Sequence, residues 1–412
     1  MKTGRTAADR EPPCVALDAR TEDVHAVNDL LRRAGPLVRV EIEGVRAWAA
    51  ARYSTLETVL THPDLSKDIR HWSAEARRGL RPGGSIAQVV GDASMVNSEG
   101  EAHRRLRAPL AKVFSPRRVR ELRPRIEAVA GRMLDRLEEL PPGPADLRRE
   151  YAYPLPCEVI ADILDIPRER RAELYGHAHV TTQMKADRRR IEDARAGRRA
   201  VLADVIAERR RAPGDDLVSE LIALGEDRLT AEELHDTFET LFVAGHVTTV
   251  NLITNAVRAL LSAPDQLARL RSGELPWDAA VEEALRLHSP IGLFPMRYAV
   301  RDVRIDGVLV RAGEAVLACY AAAGRDPDEY GERAARFEVT EPAPSHLSFG
   351  QGPHYCLGAP LARLQTEIAL AGLFAAYPDL APAGPLDGLG SLDTVIGVST
   401  PTLPVLLGRR AR

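Results

Sequence analysis

The sequence contains only four cysteines, Cys14, Cys157, Cys319 and Cys356, in 412 residues. A chain of this length held together by disulfides would contain many more, and no two of these cysteines have the spacing of a zinc knuckle. The sequence therefore excludes a disulfide scaffold and a cysteine-based zinc site. A functional cysteine in this chain acts by itself.

Lysine and long apolar runs are also scarce. Lysine supplies 4 of the 56 basic residues, and the formal net charge of −3 does not fit a nucleic-acid footprint or a polybasic membrane anchor. Residues 1–13 lack the apolar core of a signal peptide. The uncharged stretch 240–257 contains four threonines and two asparagines, which a lipid-facing helix would have to satisfy internally. We expect a cytoplasmic protein that binds neither nucleic acid nor membrane.

Hydrophobic periodicity predicts a mostly helical protein of the α+β class, with a large helical part and a smaller strand-rich part. Helical periodicity dominates residues 100–290, and Thr230 followed by Glu233 forms a capping box that opens a helix ending near residue 262. Alternation over 37–51 predicts a hairpin with its turn at Glu43-Gly44. No interior linker divides the chain. We expect a flexible N-terminal lead-in over 1–20 and a single domain over 21–412.

The most informative segment is residues 349–358, Phe-Gly-Gln-Gly-Pro-His-Tyr-Cys-Leu-Gly. Cys356 lies where an irregular loop becomes a helix, and the positive end of that helix favours a thiolate. Gly350 and Gly352 allow a tight turn that directs main-chain N–H groups at the sulfur. Gly358 leaves room for something flat to lie against the helix. A thiolate held in this way can bind a metal, whereas a cysteine without this setting is usually an inert core residue.

This segment resembles the haem-thiolate loop of the bacterial cytochrome P-450 family, Phe-Gly-x-Gly-x-His-x-Cys-x-Gly, at every specified position. The resemblance implies a P-450-like fold with haem b buried between the helical and strand-rich parts, and O₂ as co-substrate. It makes Cys356 the iron ligand, packs Phe349 against the cysteine side of the haem, and places His354 on a haem propionate. The remaining propionate residues would be His103 and Arg107, one turn apart on a helix, and Arg297 on a strand.

Two companion motifs support the resemblance. Glu283 and Arg286 match the Glu-x-x-Arg pair that braces the loop beneath the haem. The arginine that usually completes this brace is replaced by Glu341, and Arg333 or Arg336 are candidates to substitute for it.

Residues 244–249, Ala-Gly-His-Val-Thr-Thr, are similar to the oxygen-side motif of the family. The resemblance implies that Gly245 and Thr248 open the helix locally beside bound oxygen, with Thr249 following. The alternative for Thr248 is a hydroxyl bonded back to its own helix. Val247 replaces the usual acidic residue and cannot relay a proton. The neighbouring His246 is expected to be a packed or exposed side chain.

The resemblance also predicts an apolar substrate pocket. Its walls would be Phe242, Val243, Val247, Ile291, Leu293, Phe294, Val395 and Ile396. Because no part of the chain is left for a flavin or iron–sulfur domain, electrons would come from a separate ferredoxin and its NAD(P)H-dependent reductase. We expect a monomer that binds a small organic substrate.

These features lead us to expect a haem-thiolate monooxygenase that hydroxylates or epoxidises a small or medium organic molecule, plausibly in secondary metabolism. Val247 motivates an alternative within the same fold, in which the enzyme couples or desaturates an aromatic substrate without net oxygen insertion. An alternative of another class is a non-catalytic haem-binding sensor. The sequence does not identify the substrate.

Overall fold

The computed structural model describes residues 14–17, 24–81, 84–90, 94–182, 188–214, 216–225, 227–392, 394 and 396–411. Helices supply most of the regular structure. They are α1 (Val24–Ala34), α2 (Tyr53–Thr61), α3 (Ala74–Arg77), α4 (Ser85–Val90), α5 (Gly100–Val113), α6 (Pro116–Glu121), α7 (Arg123–Glu138), α8 (Pro154–Ile163), α9 (Arg168–Thr182), α10 (Arg188–Arg211), α11 (Leu217–Ile222), α12 (Ala231–Ser262), α13 (Pro264–Arg271), α14 (Trp277–Leu287), α15 (Tyr320–Ala323), α16 (Pro327–Tyr330) and α17 (Ala359–Ala376).

The strands form a smaller, separate layer. They are β1 (Val15–Leu17), β2 (Leu37–Ile42), β3 (Val45–Ala50), β4 (Leu65–Ser66), β5 (Ala145–Asp146), β6 (Phe294–Ala299), β7 (Val303–Ile305), β8 (Val308–Val310), β9 (Ala315–Ala318), β10 (Ala381–Pro382) and β11 (Pro404–Leu406). The largest sheet has the order β1-β2-β3-β9-β6-β4, and β10-β11-β5 form a second one. The predicted mixed α+β class is confirmed.

The β2–β3 hairpin turns at Glu43 and Gly44, as the sequence predicts. Both residues have positive φ, 49° and 84°, which matches the twist of a two-residue hairpin. Strand β1 lies inside the predicted lead-in 1–20 and pairs in parallel with β2. The expectation of a flexible lead-in is therefore wrong for these three residues, because their main chain belongs to the sheet. Residues 1–13 lie outside the described part of the chain.

Within the helical region predicted over 100–290, the helical structure breaks at Leu122, between α6 and α7. Pro124 has no N–H to donate to the carbonyl of Arg120, so the helical hydrogen bonds stop there. The capping box of α12 is confirmed. The N–H of Thr230 donates to Glu233 Oε2 at 2.9 Å, and the N–H of Glu233 donates to Thr230 Oγ1 at 3.2 Å.

Helix α12 runs through the helical core and packs against α8, α10, α14 and α17. By length and composition it is the one described helix that could cross a membrane, but 67% of its most apolar window is buried in the protein. Such burial is typical of the core helix of a globular protein. Two further hydrophobic cores lie against the large sheet, one on each face. Neighbouring residues of a strand point to opposite faces, so Leu317 packs in one core and Val316 in the other.

Candidate active site

The loop before α17 makes a tight turn around Cys356. The N–H of Cys356 donates to the carbonyl of Phe349 at 2.8 Å. Gly350 and Gly352 have φ of 71° and 72°, a region that residues with a Cβ rarely adopt. The tight turn expected from these two glycines is confirmed, and it places the cysteine immediately before the first turn of α17.

Burial and local dipoles act in opposite directions on the Cys356 thiol. Burial raises its pKa, while hydrogen bonds from the N–H groups of Gly358 and Ala359 and the charges of Arg107 and Arg363 lower it. Burial is the larger effect in the protein alone. The donors that favour a thiolate are therefore present, and a metal cation at the sulfur would add the remaining stabilisation of the charged form.

A second set of contacts, which the sequence analysis missed, ties this loop to α14. Arg363 donates from Nε and Nη2 to the two carboxylate oxygens of Glu282, at 2.6 and 2.9 Å. It also donates to the Tyr355 hydroxyl at 3.1 Å, and its guanidinium lies 4.5 Å from the centroid of the Phe349 ring. His346 contacts Glu282 at 3.2 Å. The Glu282 carboxylate thus holds the loop on both sides, through His346 before it and Arg363 after it.

Glu283 and Arg286 form the predicted pair on α14. Both side chains are completely buried, and Arg286 donates to Glu283 from Nη2 at 2.6 Å and from Nε at 2.8 Å. The N–H of Glu338 donates to Glu283 Oε1 at 2.8 Å. The remaining donors of Arg286 reach main-chain carbonyls, those of Gly324, Arg333, Ala334 and Arg336. The main chain around 324–338 therefore completes this brace.

The arginine missing at Glu341 has only an indirect substitute. The Arg333 side chain donates to the carbonyl of Glu338 at 2.9 Å and to Thr340 Oγ1 at 3.2 Å. It holds the segment that contacts Glu283 but does not touch Glu283 itself. The Arg336 side chain is exposed beside Glu332. Of the two candidates, only the Arg333 side chain supports the brace.

The structure brings the predicted propionate residues together at the start of α5, on β6 and in the cysteine loop. The rings of His103 and His354 lie 4.2 Å apart between centroids. Arg107 donates to the carbonyl of Tyr355 at 2.6 Å. Arg297 is 7% exposed, and its guanidinium makes no hydrogen bond within the described ranges. Burial and the neighbouring positive groups His354 and Arg107 lower the pKa of His103 to about 4.

Two members of this cluster, Glu99 and Lys67, were not predicted. His354 Nε2 lies 3.2 Å from Glu99 Oε1, and the main-chain N–H of Lys67 donates to Glu99 Oε2 at 2.9 Å. Burial raises the pKa of Glu99, but these hydrogen bonds outweigh it and lower the pKa to about 2. Glu99 is therefore a carboxylate that orients His354. No residue pattern predicts this contact, because Glu99 and His354 are far apart in the chain.

Helix α12 is continuous through the oxygen-side motif. Thr248 Oγ1 donates to the carbonyl of Ala244 at 2.8 Å, and Thr249 Oγ1 donates to that of Gly245 at 3.4 Å. The expected local opening is absent from this helix, and the alternative of hydroxyls bonded to their own helix is what the structure shows. A Cβ on Gly245 would lie 2.9 Å from Ile160 Cδ1. Gly245 therefore allows α12 to pack closely on α8.

One face of α12 remains accessible although the helix is a core element. Ala244 is exposed, and Val243, Val247 and Thr248 are partly buried. His246 points the other way and is 1% exposed, with Nδ1 2.6 Å from the carbonyl of Phe242. Of the two outcomes expected for His246, a packed or an exposed side chain, the structure shows the packed one.

The predicted pocket walls lie in two places, on α12 and around the turn at Ile396. The turn at Ile396 meets residues 291–293, where the N–H of Gly292 donates to the Ile396 carbonyl at 2.7 Å, and Leu293 and Phe294 are partly buried beside it. Phe242 is a correction to the prediction. It is completely buried in the helical core, with its ring 4.7 Å from that of His246, so it offers no surface to a substrate. Val395 lies outside the described residues.

Comparison with known proteins decides the family. A family model described as cytochrome P-450 matches residues 277–378. The 2-hydroxy-5-methyl-1-naphthoate 7-hydroxylase of Streptomyces carzinostaticus is 34% identical over 407 residues, which cover 96% of this chain and 98% of that enzyme. The chain belongs to the cytochrome P-450 family. It is therefore an oxidoreductase of the P-450 monooxygenase type, and the sensor alternative is not supported.

Solved P-450 structures show the same fold over nearly the whole chain. CYP154A1 of Streptomyces coelicolor A3(2) is 42% identical with a TM-score of 0.89, covering 95% of this P-450 and 100% of that chain. CxnD, a P-450 for C–S bond formation in chuangxinmycin biosynthesis, is 31% identical with a TM-score of 0.87, covering 97% of this chain and 99% of that one. The predicted P-450-like fold is confirmed.

Family membership implies a haem-iron cofactor, and the residues present fit one. The partly buried Cys356 thiol lies just before a helix start, and Arg297 is a buried cation. His103 Nε2 is buried without a hydrogen-bond partner among the described residues, so a donor or acceptor is left for a ligand. A Cβ built on Gly358 would meet nothing within 4 Å. This combination suits a flat, dianionic group with an iron ligated by sulfur.

Proposed function

We propose that this P-450 hydroxylates or epoxidises a small or medium organic molecule in secondary metabolism, with haem b as cofactor and O₂ as co-substrate. The observation that carries the proposal is the partly buried Cys356 thiol in its glycine turn, next to a cluster of buried and partly buried arginines and histidines. The naphthoate hydroxylase, a relative over almost the full chain, supports the reaction type. When bound, the haem supplies oxygen activation, and a thiolate ligand favours cleavage of the O–O bond.

In this proposal the proximal residues hold and shield the cofactor. Cys356 ligates the iron, and His103, Arg107, Arg297 and His354 bind the two propionates through charge-assisted hydrogen bonds. Gly358 leaves the face of the macrocycle clear.

Phe349 would pack against the cysteine side of the haem. Glu283 and Arg286 keep the loop in place from below. These residues fix the position of the reactive centre and take no part in proton transfer.

On the oxygen side, Thr248 holds a proton at Oγ1. That proton is donated to the Ala244 carbonyl in the structure, and rotation about χ1 turns it toward the accessible face of α12. Thr249 and Gly245 maintain the helix around it. Val247 lies beside Thr248 and cannot supply a proton, so the proton source would be water or a polar group of the substrate.

The substrate would lie against apolar side chains of α12 and of the segments near β6. These are Val243, Val247, Ile291, Leu293, Phe294 and Ile396, with Val395 as a further candidate. Apolar walls exclude water and select an organic molecule by shape. We propose further that residues 21–412 act as one catalytic domain, monomeric and cytoplasmic, with electrons delivered by a ferredoxin and an NAD(P)H-dependent ferredoxin reductase.

Carbon monoxide and labelled oxygen test this proposal together. Reduced with dithionite and exposed to carbon monoxide, the protein is expected to show the red-shifted Soret band of a thiolate-ligated haem, and Cys356→Ser is expected to lose it. Cys14→Ser changes an exposed cysteine and serves as the matched control. With ferredoxin, reductase and a substrate found by spectral screening, ¹⁸O₂ is expected to label the product. A wild-type protein without the red-shifted band contradicts the proposal.

Oxidative coupling or desaturation is a second candidate because Val247 stands where an acidic residue is usual. The structural neighbour CxnD, a P-450 for C–S bond formation, supports this second candidate. The same ¹⁸O₂ incubation separates the candidates, since a coupled product contains no label and a hydroxylated one does.

A further inference from the structure

The accessible face of α12 continues into two buried asparagines. Val243, Val247, Asn251 and Asn255 follow one another at intervals of four residues, so they lie along one ridge of the helix. The two valines are partly buried and belong to the predicted pocket wall, whereas Asn251 and Asn255 are 1% and 6% exposed. A buried amide needs hydrogen-bond partners. The partners of these two amides show what this part of α12 holds in place.

Asn255 holds both of the segments that carry the second pocket wall. Its Nδ2 donates to the carbonyl of His288 at 3.0 Å and to the carbonyl of Val398 at 2.8 Å. His288 lies three residues before Ile291, and Val398 lies two residues after Ile396. One side chain of α12 therefore uses both of its amide protons on the main chain beside the opposite wall.

Asn251 makes a third contact of this kind, and Arg148 orients it. Asn251 Nδ2 donates to the carbonyl of Pro290 at 3.4 Å, while its Oδ1 accepts from Arg148 Nη2 at 2.9 Å. Arg148 also donates from Nη1 to Ser399 Oγ at 3.0 Å. Because a guanidinium only donates hydrogen bonds, it fixes the amide with its oxygen toward Arg148 and its N–H groups toward the wall segment. A Cβ on Gly397 would lie 3.2 Å from Asn251 Nδ2, so the turn passes close to this amide.

The two wall segments are also bonded to each other. The N–H of Gly292 donates to the carbonyl of Ile396 at 2.7 Å, and the N–H of Val398 donates to that of Pro290 at 3.1 Å, which makes a short antiparallel ladder. The two segments therefore move as one unit. The three bonds from the asparagines set the distance between this unit and α12.

We propose that Asn251 and Asn255 are positioning residues for substrate selection, which set the separation between the α12 wall and the wall at Ile291 and Ile396. This inference rests on the proposed function, because it requires a substrate to lie between these walls. Both asparagines act through the main chain that they hold, and not by touching the substrate. Loss of one of these bonds changes the width of the pocket, so it alters the binding of a wide ligand more than that of a narrow one.

Two azole probes of different width test this role without turnover. Imidazole and 4-phenylimidazole both shift the Soret band when they bind a haem iron, and only the second adds a ring that the walls have to accommodate. The ratio of their dissociation constants cancels any effect of a variant on the haem. Asn255→Leu keeps the branched shape of the side chain and removes its donors. Its ratio is expected to differ from that of wild type about 5-fold or more, the factor that corresponds to one net hydrogen bond.

Two further variants complete the experiment. Gly397→Ala removes no polar group, but its Cβ crowds Asn251 and displaces the turn, so a change in the ratio is expected here too. If Asn255→Leu does not fold, this variant decides. Gln266 is a buried amide of α13 that accepts a hydrogen bond from the main-chain N–H of Val339 at 3.0 Å. Gln266→Met is the matched control and should leave the ratio at the wild-type value.

The outcomes separate this role from the proposed function. A wild-type ratio in Gly397→Ala and in folded Asn255→Leu overturns the positioning role. An equal change in Gln266→Met also overturns it, since the loss of any buried amide would then have the effect. Either result, in a protein whose wild type binds imidazole, leaves the proposed function intact. A wild-type protein without a haem Soret band contradicts the proposed function and removes the basis of this inference with it.

Discussion

The valine at position 247 leaves Thr248 without an acidic neighbour in the motif. Its side chain is apolar and partly buried on the accessible face of α12, so it can neither donate nor relay a proton. Thr248 has its hydroxyl bonded to the Ala244 carbonyl. In the proposed monooxygenase reaction, proton delivery would therefore depend on a group from outside the motif.

Val247→Asp supplies the missing acid at this position. We expect the fraction of NAD(P)H electrons recovered in product to change by at least about twofold, because a positioned acid contributes strongly to proton transfer. Val247→Asn has nearly the same size and polarity without an ionisable proton, and serves as the control. Product formation per NAD(P)H is the measurement. If Asp and Asn give the same value as valine, the residue at 247 does not shape the chemistry.

Several site residues could be predicted because their signals are local. Cys356, His354 and the glycines lie in one short segment, and Glu283 and Arg286 are one helical turn apart. Lys67 and Glu99 carry no such signal. Their contacts depend on how β4 and the start of α5 pack against the loop, which the residue pattern does not encode.

At the scale of elements, the brace beneath the cysteine loop depends on α14. Glu282 faces Arg363 on α17, while the next residue, Glu283, faces Arg286 and the main chain around 324–338. Two adjacent carboxylates on one helix thus hold two different segments. The sequence revealed only the second, because Glu282 and Arg363 belong to no spaced motif.

Glu283→Gln tests the strength of this brace. The substitution leaves the buried Arg286 charge without its counter-charge, and loss of one partner of a buried ion pair costs about 3–5 kcal/mol. We expect the free energy of unfolding in urea to fall by that order. Arg336→Gln changes an exposed arginine and should alter it by less than about 0.5 kcal/mol. Equal stability of Glu283→Gln and wild type would show that the main-chain hydrogen bonds suffice.

Long elements were predicted well and short ones were not. Helices α5, α12 and α14 have caps or a clear period, and the hairpin has alternation with a turn. Strands β5, β10 and β11 contain two or three residues and have no period to detect. The continuity of α12 through residues 244–249 also could not be foreseen, because the residue pattern allowed both a local opening and threonine hydroxyls bonded to their own helix.

For the whole molecule, buried neutral histidines link stability to pH. His103 and His246 are buried and His288 is partly buried, and burial is the first cause of the lowered pKa of each. The pKa of His246 is lowered to about 4 from 6.5. Below pH 6.5 the unfolded chain binds a proton that the folded protein excludes, so stability falls as the pH decreases toward 4.

His246→Phe removes one of these groups and is expected to flatten the acid side of the profile. One pH unit below 6.5 corresponds to about 1.4 kcal/mol for one such histidine. From pH 7.5 to 5.5, the variant should therefore lose about 1 kcal/mol less than wild type. Thermal unfolding followed by circular dichroism is the measurement, and His71→Gln, at an exposed histidine, is the control. Parallel profiles for the variant and wild type would contradict this assignment.

The contacts of Arg286 have a consequence for how freely the segment 324–338 can diverge. Outside α14, Arg286 donates only to main-chain carbonyls, which every amino acid carries. Side chains of residues 324–338 can therefore be exchanged while these hydrogen bonds are kept. This explains how Glu341 can replace an arginine. Gly324 is the exception, since a Cβ there would lie 1.9 Å from the Arg286 carbonyl oxygen. Among related proteins, the amino-acid sequence of this segment should vary widely at every position except Gly324.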